Sequence, residues 1–201
     1  MKVRLTFTEP LLGTLAGDKE LAKEYIASKC GGDTLNKDEA ECIDNIDEEL
    51  EKGSTIFNSD DKGILLWDYQ VKGFFKDAML ALIGSDKFTQ EALKKVSLTK
   101  YMYKRMIDHQ LFVNPRKIYL KLSGETFFVE RPLRADTMRG ERIALARSEA
   151  APAGTTCEVE IVTMQKKLVP FIYECLDYGS LRGIGQWRNS GMGRFTYEEI
   201  E

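Results

Sequence analysis

Residues 68–82, DYQVKGFFKDAMLAL, decide the class of fold. Their apolar side chains recur at the spacing i, i+3, i+4, i+7, i+8 and i+11, which predicts a helix with one apolar face, and Asp68 is the predicted N-cap. That face consists of Val71, Phe74, Phe75, Ala78, Met79 and Leu82. It has to pack on a sheet, and the flanking sequence predicts the strands of that sheet.

Strand patterns lie on both sides of this helix. Residues 2–8 and 155–163 alternate apolar and polar side chains, as half-buried strands do. Residues 111–113 and 194–199 predict two more strands, and residues 166–178 predict a second amphipathic helix. The core order is then strand, helix, strand, strand, helix, strand. This order predicts an α+β, ferredoxin-like (RRM-like) domain, with an antiparallel sheet that carries both helices on one face.

Additional segments are expected around this core. Residues 117–122 and 126–130 predict strands joined by a hairpin at Ser123 and Gly124, and residues 142–147 predict a short strand. Residues 88–96 predict a short helix. Residues 17–61 predict an inserted, mostly helical and acidic lobe, so we expect residues 1–201 to form a single domain with one insertion.

Charge is unevenly distributed along the 201 residues, although the net charge is only -3. Residues 33–62 contain eleven acidic side chains and three lysines, whereas residues 100–147 contain eleven basic and five acidic ones. A basic face on an acidic protein is therefore expected. Within it, five arginines between positions 131 and 147 predict a loop that lies over a nucleic-acid backbone, although an acidic protein partner would satisfy them equally well.

The remaining composition narrows the class of protein. No apolar stretch approaches the roughly 18 residues of a membrane span, and the first residues lack the pattern of a signal peptide, so a cytoplasmic protein is expected. Four cysteines without a CxxC pair, together with a single histidine, do not make a zinc site of the usual spacing. We expect no metal and no cofactor.

The segment richest in functional signals is GIGQWRNSGMGRF, residues 183–195. Glycines let a backbone approach a bulky anion, arginines offer forked donors to phosphate, and Trp187 is suited to stacking on a base. The same residues are equally typical of a glycine-rich turn whose Trp187 and Phe195 pack into the core. Lys72, at the opening of the first helix, favours an anion nearby as much as a side chain that extends to solvent.

Four segments together resemble the RAMP superfamily, and in particular the CRISPR RNA-binding backbone subunits. The spacing G-x-G, five residues, G-x-G in residues 183–193 is similar to the glycine-rich loop of these proteins, which lies between the last helix and the last strand. Residues 67–80, WDYQVKGFFKDAML, resemble their first helix, which a Lys-Gly pair opens and a basic residue follows. Residues 3–13 resemble their first strand with its exit, and residues 131–161 their basic central region.

The resemblance implies a protein that binds single-stranded RNA in a ribonucleoprotein assembly, with protein partners or further copies of itself. Members that cut RNA use an aspartate after the first strand or a histidine-centred site, and this sequence departs from both patterns, so a non-catalytic protein is expected. The RNA-binding residues expected from the resemblance and from the basic segments are Lys72, Lys76, Arg131, Arg134, Arg139, Arg142, Arg182, Gly183, Gly185, Trp187, Arg188, Gly191, Gly193 and Arg194.

Two alternatives remain open at this point. One is a protein-interaction subunit or inhibitor, of viral or mobile-element type, that docks on a CRISPR-type ribonucleoprotein through the acidic lobe. The other is a metal-independent endoribonuclease, for which His109 and Asp18 are the candidate residues. A helix N-terminus explains Asp18 at least as well, and a lone histidine is more often structural, so no catalytic residue is assigned.

Overall fold

The computed structural model describes residues 1–18, 22, 54–137 and 140–201, with the side chains of residues 133–144 excepted. The strands are β1 (Lys2–Phe7), β2 (Leu11–Leu12), β3 (Leu15–Ala16), β4 (Ser54–Ile56), β5 (Asn58–Asp60), β6 (Gly63–Trp67), β7 (Leu111–Asn114), β8 (Lys117–Tyr119), β9 (Phe127–Thr137), β10 (Gly140–Ala151), β11 (Thr156–Thr163) and β12 (Phe195–Ile200). The α-helices are α1 (Asp68–Ile83), α2 (Gln90–Lys95), α3 (Tyr103–Gln110) and α4 (Val169–Arg182), with 3-10 turns at Lys166–Leu168 and Arg188–Ser190. None of the described helices is long and apolar enough to cross a membrane.

The main sheet has four strands in the order β12-β1-β11-β7. Each neighbouring pair is antiparallel, and Leu5 at the centre lies opposite Cys157 on β11 and Tyr197 on β12. The alternation predicted for β1 is confirmed, because Val3, Leu5 and Phe7 are all buried. Side chains of one parity therefore build one side of a core, and those of the other parity form an open face.

Helices α1 and α4 pack on the buried side of this sheet and against each other. All six apolar residues predicted for the face of α1 are buried, and α4 buries Phe171, Ile172, Cys175 and Leu176. Phe74 of α1 packs edge to face on Phe195 of β12, which also packs edge to face on Phe7. The predicted α+β class with a ferredoxin-like order of strands and helices is confirmed.

Helix α1 begins one residue away from the predicted position. Trp67 occupies the N-cap position, so the prediction of Asp68 as N-cap is wrong. The Gln70 side chain accepts a hydrogen bond of 2.7 Å from the Trp67 backbone N–H, and its Nε2 donates to the Thr14 hydroxyl at 2.6 Å. The Gln70 side chain therefore satisfies a backbone N–H at the start of α1, in a helix whose N-cap residue has no polar side chain of the usual type.

A second sheet is built on a long hairpin that the sequence did not indicate. Strand β10 pairs antiparallel with β9 from Ala150 opposite Phe127 out to Gly140 opposite Thr137, and it also pairs with β2 and β4. The hairpin predicted at Ser123 and Gly124 is wrong. The Ser123 hydroxyl instead donates to the Ala153 carbonyl at 2.7 Å, which directs this segment across to the turn before β11.

A third sheet, in the order β5-β6-β8, leads directly into α1. Its Asp60 carboxylate has a side chain only 4% exposed, and it accepts hydrogen bonds from Lys117 at 2.9 Å and Tyr119 at 2.8 Å. Burial alone would raise the pKa of Asp60, but these two bonds, the Lys62 backbone N–H and the charge of Lys117 together hold the pKa below its ordinary value. The contacts of Asp60 with Lys117 and Tyr119 therefore connect β5 to β8.

The predicted acidic lobe lies largely outside the described residues, which omit 19–21 and 23–53. The last part of its predicted range, however, forms strands β4 and β5, and Phe57 between them is buried in the main core. The described end of the segment thus belongs to the body of the protein. The helical lobe itself stays a prediction.

Candidate nucleic-acid interface

Two of the four predicted glycines close the loop between α4 and β12 on itself. The Ile184 N–H donates to the Gly193 carbonyl at 2.9 Å, and the Gly193 N–H donates to the Pro10 carbonyl at 2.8 Å. Gly183 and Gly193 are buried and have φ values of 78° and 69°. A Cβ on Gly193 would lie 1.9 Å from the Ile184 carbonyl oxygen, so this crossing of two chain segments requires glycine.

The other two glycines differ in their exposure to solvent. Gly191 is buried, with a φ of 85°, and a Cβ there would meet the Arg194 guanidinium at 3.2 Å. Arg194 itself donates through Nε to the Leu181 carbonyl at 3.0 Å. Gly185 lines two cavities at the surface. Of the predicted glycines, Gly185 is the one whose backbone a ligand in these cavities would meet.

The loop presents Trp187 beneath an arginine of the hairpin. The Arg131 guanidinium lies 3.8 Å from the centre of the Trp187 ring, in a cation–π stack. Burial lowers the pKa of Arg131. Within the described part of the chain, neither the buried Arg131 Nε nor the buried Trp187 Nε1 has a hydrogen-bond partner. Both N–H groups are thus enclosed at the stacked pair, out of direct reach of solvent.

Trp187 also carries backbone strain. Its φ of 55° lies in the left-handed region, which bulky side chains adopt rarely. Such strain persists only where surrounding contacts impose it, and here the contact is the stack with Arg131. The left-handed backbone at position 187 therefore holds the partly buried indole against Arg131.

The two arginines that flank this loop share one carboxylate on α1. Asp77 Oδ2 accepts a hydrogen bond from Arg182 Nε at 3.2 Å and another from Arg188 Nη1 at 2.9 Å. Arg182 also donates to the side-chain carbonyl of Asn189. A guanidinium has five N–H donors, so each arginine keeps donors beyond those that Asp77 uses. This cluster, defined by Arg131, Arg182, Arg188 and Asp77, has three cations for one anion.

Two adjoining cavities open around this cluster. The smaller, about 360 Å³, is lined by Arg131, Arg182 and residues 185–190. The larger, about 600 Å³, lies between α1, the start of α3 and the glycine-rich loop. Both are lined by Gly185 and Arg188, so they form one continuous groove. We call this surface the groove.

The two predicted lysines of α1 lie next to the groove but are bound to α3. Lys76 forms an ion pair of 2.6 Å with the Asp108 carboxylate and lines the larger cavity. Lys72 donates to the Asp108 carbonyl at 3.0 Å and lies 5.1 Å from the centre of the Phe112 ring. Burial lowers the pKa of Lys72. Lys72 lines neither of the two cavities.

The basic segment 131–147 does not form the predicted loop. Arg131 and Arg134 lie in β9 and Arg142 lies in β10, because the segment pairs with itself as the long hairpin. The side chains of Arg134 and Arg142 lie outside the described residues, as does all of Arg139. Arg131 is the one arginine of this predicted set that the structure places in the groove.

Several residues of the groove were not predicted from the sequence. Asp77 is one of many charged residues on a helix, and its partners lie more than 100 positions away, so no local pattern indicates its role. Tyr69 and Gln70 stand in the first turn of α1 and line the larger cavity. Their position beside a helix N-terminus that faces a glycine-rich loop was the available signal.

Among the described residues that line the groove, there is no histidine and no cysteine. His109 is exposed at the end of α3 and lines neither cavity. The two described cysteines are buried, which raises the pKa of Cys157 to about 12 and raises that of Cys175 as well. Among the described residues, no group of three or more histidine, cysteine or acidic side chains is placed to hold a metal ion.

The sheet, its two helices and the groove define the class of this protein as a ferredoxin-like α+β domain with a basic, aromatic surface cleft. No family model and no curated protein matches the sequence. Among solved structures, the chain is similar to one in the cryo-EM structure of the type III-B Cmr-β bound to cognate target RNA. That match has a TM-score of 0.53 and 10% identity, and it covers 100% of this chain and 58% of the other.

A chain of a type IV-B CRISPR complex is also similar, with a TM-score of 0.48, 10% identity and coverage of 98% and 88%. The Cmr-β match, whose TM-score is the higher of the two, shows a shared fold with a chain of a CRISPR complex. The protein spans little more than half the length of that chain.

Proposed function

We propose that this protein is a non-catalytic RNA-binding protein of RAMP type that holds single-stranded RNA mainly through its backbone. The observation that carries the proposal is the groove, in which Arg131 stacks on Trp187 beside Arg182 and Arg188. The binding residues are these four together with Gly185, and Lys76 lies at the margin.

The chemistry of the groove suits a nucleotide strand. Arginine donates in a fixed fork that matches phosphate oxygens, and an indole offers a face on which any base stacks. Arg188 uses one Nη atom on Asp77, which leaves its other donors for phosphate. Because neither contact reads a base edge, binding is expected to be salt-sensitive and weakly selective for sequence.

The fold comparison supports the same proposal. The similar chain of the Cmr-β structure belongs to an assembly bound to target RNA, and the sequence segments of this protein resemble RAMP proteins. A place in a ribonucleoprotein assembly, with protein partners, follows from both. Because the two chains are 10% identical, the residues that bind RNA are proposed from the groove of this protein alone.

The open face of the main sheet is a poor site for RNA by comparison. Arg4 is paired there with both Glu158 and Glu198, and Lys121 is also paired with Glu158. Carboxylates that already neutralise these cations would repel a phosphate. The proposal therefore places the strand in the groove and not across the sheet.

The test is fluorescence-polarisation binding of the purified chain to single-stranded RNA, duplex RNA and single-stranded DNA over a series of salt concentrations. We expect single-stranded RNA to bind most tightly, with log affinity falling against log salt at a slope of about -2, as expected for three phosphate contacts. Arg188→Ala should weaken binding roughly tenfold, which corresponds to one charged hydrogen bond.

The matched control is Arg4→Ala on the sheet, which removes an arginine of similar exposure that also holds carboxylates. It should change the affinity less than about twofold, since its charge is locally compensated. Equal losses from the two variants would contradict a specific groove. If the wild-type chain bound no RNA at low salt, the proposal would fail, and a protein partner would become the leading hypothesis.

A further inference from the structure

Gly73 has no role in the packing of the chain. It lies in the interior of α1, where glycine is less favourable than alanine, and it is exposed. Its backbone is helical, and a Cβ built there meets no atom within 4 Å. By contrast, Gly179 of α4 lies under the Phe195 ring, and a Cβ there would lie 2.2 Å from it. Packing explains Gly179, whereas Gly73 needs a different reason.

That reason lies in the larger cavity, of which Gly73 forms part of the wall. The apolar side of this cavity is made by Leu66, Phe74 and Ile184, which are buried, together with Tyr103. A volume of about 600 Å³ is well within the range of ligand sites. Because residue 73 has no side chain, a ligand in this cavity would contact the helix backbone directly.

Charge at the rim indicates what kind of ligand fits. Lys104 and Arg188 stand at the edge of the cavity, and Arg188 also belongs to the smaller cavity with Arg131 and Arg182. An apolar, aromatic floor next to a cationic rim is complementary to a planar base joined to a phosphate. Because the two cavities share Gly185 and Arg188, a phosphate in the smaller cavity would adjoin a base in the larger one.

We infer that the larger cavity holds one nucleobase of the bound RNA, turned out of its stack, and that Gly73 is the residue that admits it. This inference rests on the proposed function and adds a base site to the backbone contacts. The nearby polar side chains, Gln70 and Thr14, already bond each other. The base is therefore held by apolar and aromatic contact, with weak preference among the four bases.

The first experiment fills the cavity from position 73. Gly73→Ala should raise the midpoint of thermal unfolding by roughly 2–4 °C, because alanine favours the helix. Gly73→Leu should keep the fold, since nothing occupies that space, and should weaken binding to single-stranded RNA roughly tenfold, the share of one stacked base. If Gly73→Leu remains folded and binds RNA more weakly, then position 73 contributes to a binding site and not to the stability of the fold.

Gly84→Ala is the matched control. Gly84 caps the same helix at the other end with a φ of -87°, a Cβ there makes ordinary contacts at 3.6 Å, and it lines neither cavity. It should leave the RNA affinity unchanged. Weakening by Gly84→Ala equal to that by Gly73→Leu would overturn the inference, because the effect would then come from the helix and not from the cavity.

The second experiment removes the base instead of the space. An abasic oligonucleotide of equal length and charge should bind the wild-type chain more weakly than RNA. The difference should be smaller for Gly73→Leu, in which only the stack on Trp187 remains to be lost. If the wild-type chain bound RNA but Gly73→Leu bound it equally well, the base site would be refuted and backbone binding would stand. Absence of RNA binding by the wild-type chain would refute the base site and the proposed function together.

Discussion

The groove and the open face of the main sheet both bring cations next to carboxylates, but in different proportions: two cations share two carboxylates on the sheet, whereas two arginines share one in the groove. On the sheet, Arg4 is bound by two glutamates, at 3.2 Å from Glu158 and 2.7 Å from Glu198. In the groove, a single carboxylate, that of Asp77, serves two arginines. One surface has its cations compensated, and the other keeps donors for an external anion.

The difference shows why net charge is a poor guide to this protein. A chain of charge -3 would not be expected to hold phosphate, yet the cations that matter are collected by three elements far apart in sequence. These elements are the long hairpin, helix α1 and the glycine-rich loop. Long-range folding sets the local ratio of cations to carboxylates, and that ratio decides where an anion binds.

Among the changes that test the difference between the groove and the sheet, removal of the Trp187 indole is expected to have the largest effect on RNA binding. Trp187→Ala abolishes both the base platform and the stack that positions Arg131, so single-stranded RNA should bind roughly 10- to 100-fold more weakly. Polarisation binding measures this loss. Tyr101→Ala is the control, because Tyr101 is 94% exposed and lines neither cavity.

The role of the stack can be separated from that of backbone strain with Trp187→Gly. Glycine accepts the left-handed conformation that Trp187 adopts, so this variant should be at least as stable as Trp187→Ala. Both should bind RNA equally poorly. If Trp187→Gly bound as tightly as the wild-type chain, the indole would have no part in RNA binding, and the groove would differ from the sheet by charge alone.

Neutralising Asp77 should have a smaller effect, and its sign is informative. Simple charge counting predicts tighter RNA binding after Asp77→Asn, because a negative charge leaves the groove. We expect binding to weaken severalfold, because Asp77 holds Arg182 and Arg188 in place and an amide binds guanidinium less strongly. The salt slope should change little, since the number of cations stays the same.

The partner experiment is Glu198→Gln on the sheet, which removes a carboxylate from Arg4. Because Glu198→Gln removes a negative charge far from the groove, the RNA affinity of this variant should stay the same or rise slightly. Tighter RNA binding by Asp77→Asn would show that Asp77 competes with phosphate instead of positioning the arginines. Affinity measured in parallel for the two variants thus tests whether the carboxylates of the two surfaces act differently.

Sequence periodicity predicted the core well because local physics dictates it. The apolar spacing of α1 and the alternation of β1 and β11 are consequences of 3.6- and 2-residue periods, and the structure confirms them. The hairpin was misplaced because Ser123 and Gly124 are typical turn residues, whereas the residues that pair as β9 and β10 include the arginine-rich segment that was predicted to be a loop.

The site was predictable in its residue types and less so in their roles. The glycine-rich segment was predicted to contact an anion, but Gly183 and Gly193 lie at a buried crossing of two chain segments and Gly191 is buried against the Arg194 side chain. Their need for positive φ is visible only when both strands of the crossing are placed. Asp77 could not be predicted, since its role depends on distant partners. Gly73 belongs to the Lys-Gly pair noted in the resemblance, but the empty space beside it is visible only in the structure.

The smallest expected effect concerns the pH dependence contributed by Glu158 on the sheet. Hydrogen bonds from Lys121 and Arg4 lower the pKa of this carboxyl. A carboxyl with a lower pKa in the folded chain stabilises it at pH values above its ordinary range, and that contribution is lost as the pH falls through the lowered pKa. Because the pairs are solvent-exposed, the contribution is small.

Thermal unfolding of the wild-type chain and Glu158→Gln at pH 7 and pH 3 measures this contribution. At pH 7, the unfolding midpoint of the wild-type chain should be slightly higher than that of Glu158→Gln. The difference between the two chains should shrink at pH 3, as the carboxyl is protonated. RNA affinity at pH 7 should be the same for both chains, because the paired charges of the sheet do not face the groove. A loss of RNA binding in Glu158→Gln would mean that the sheet contributes to the site, and the contrast between the two surfaces would have to be abandoned.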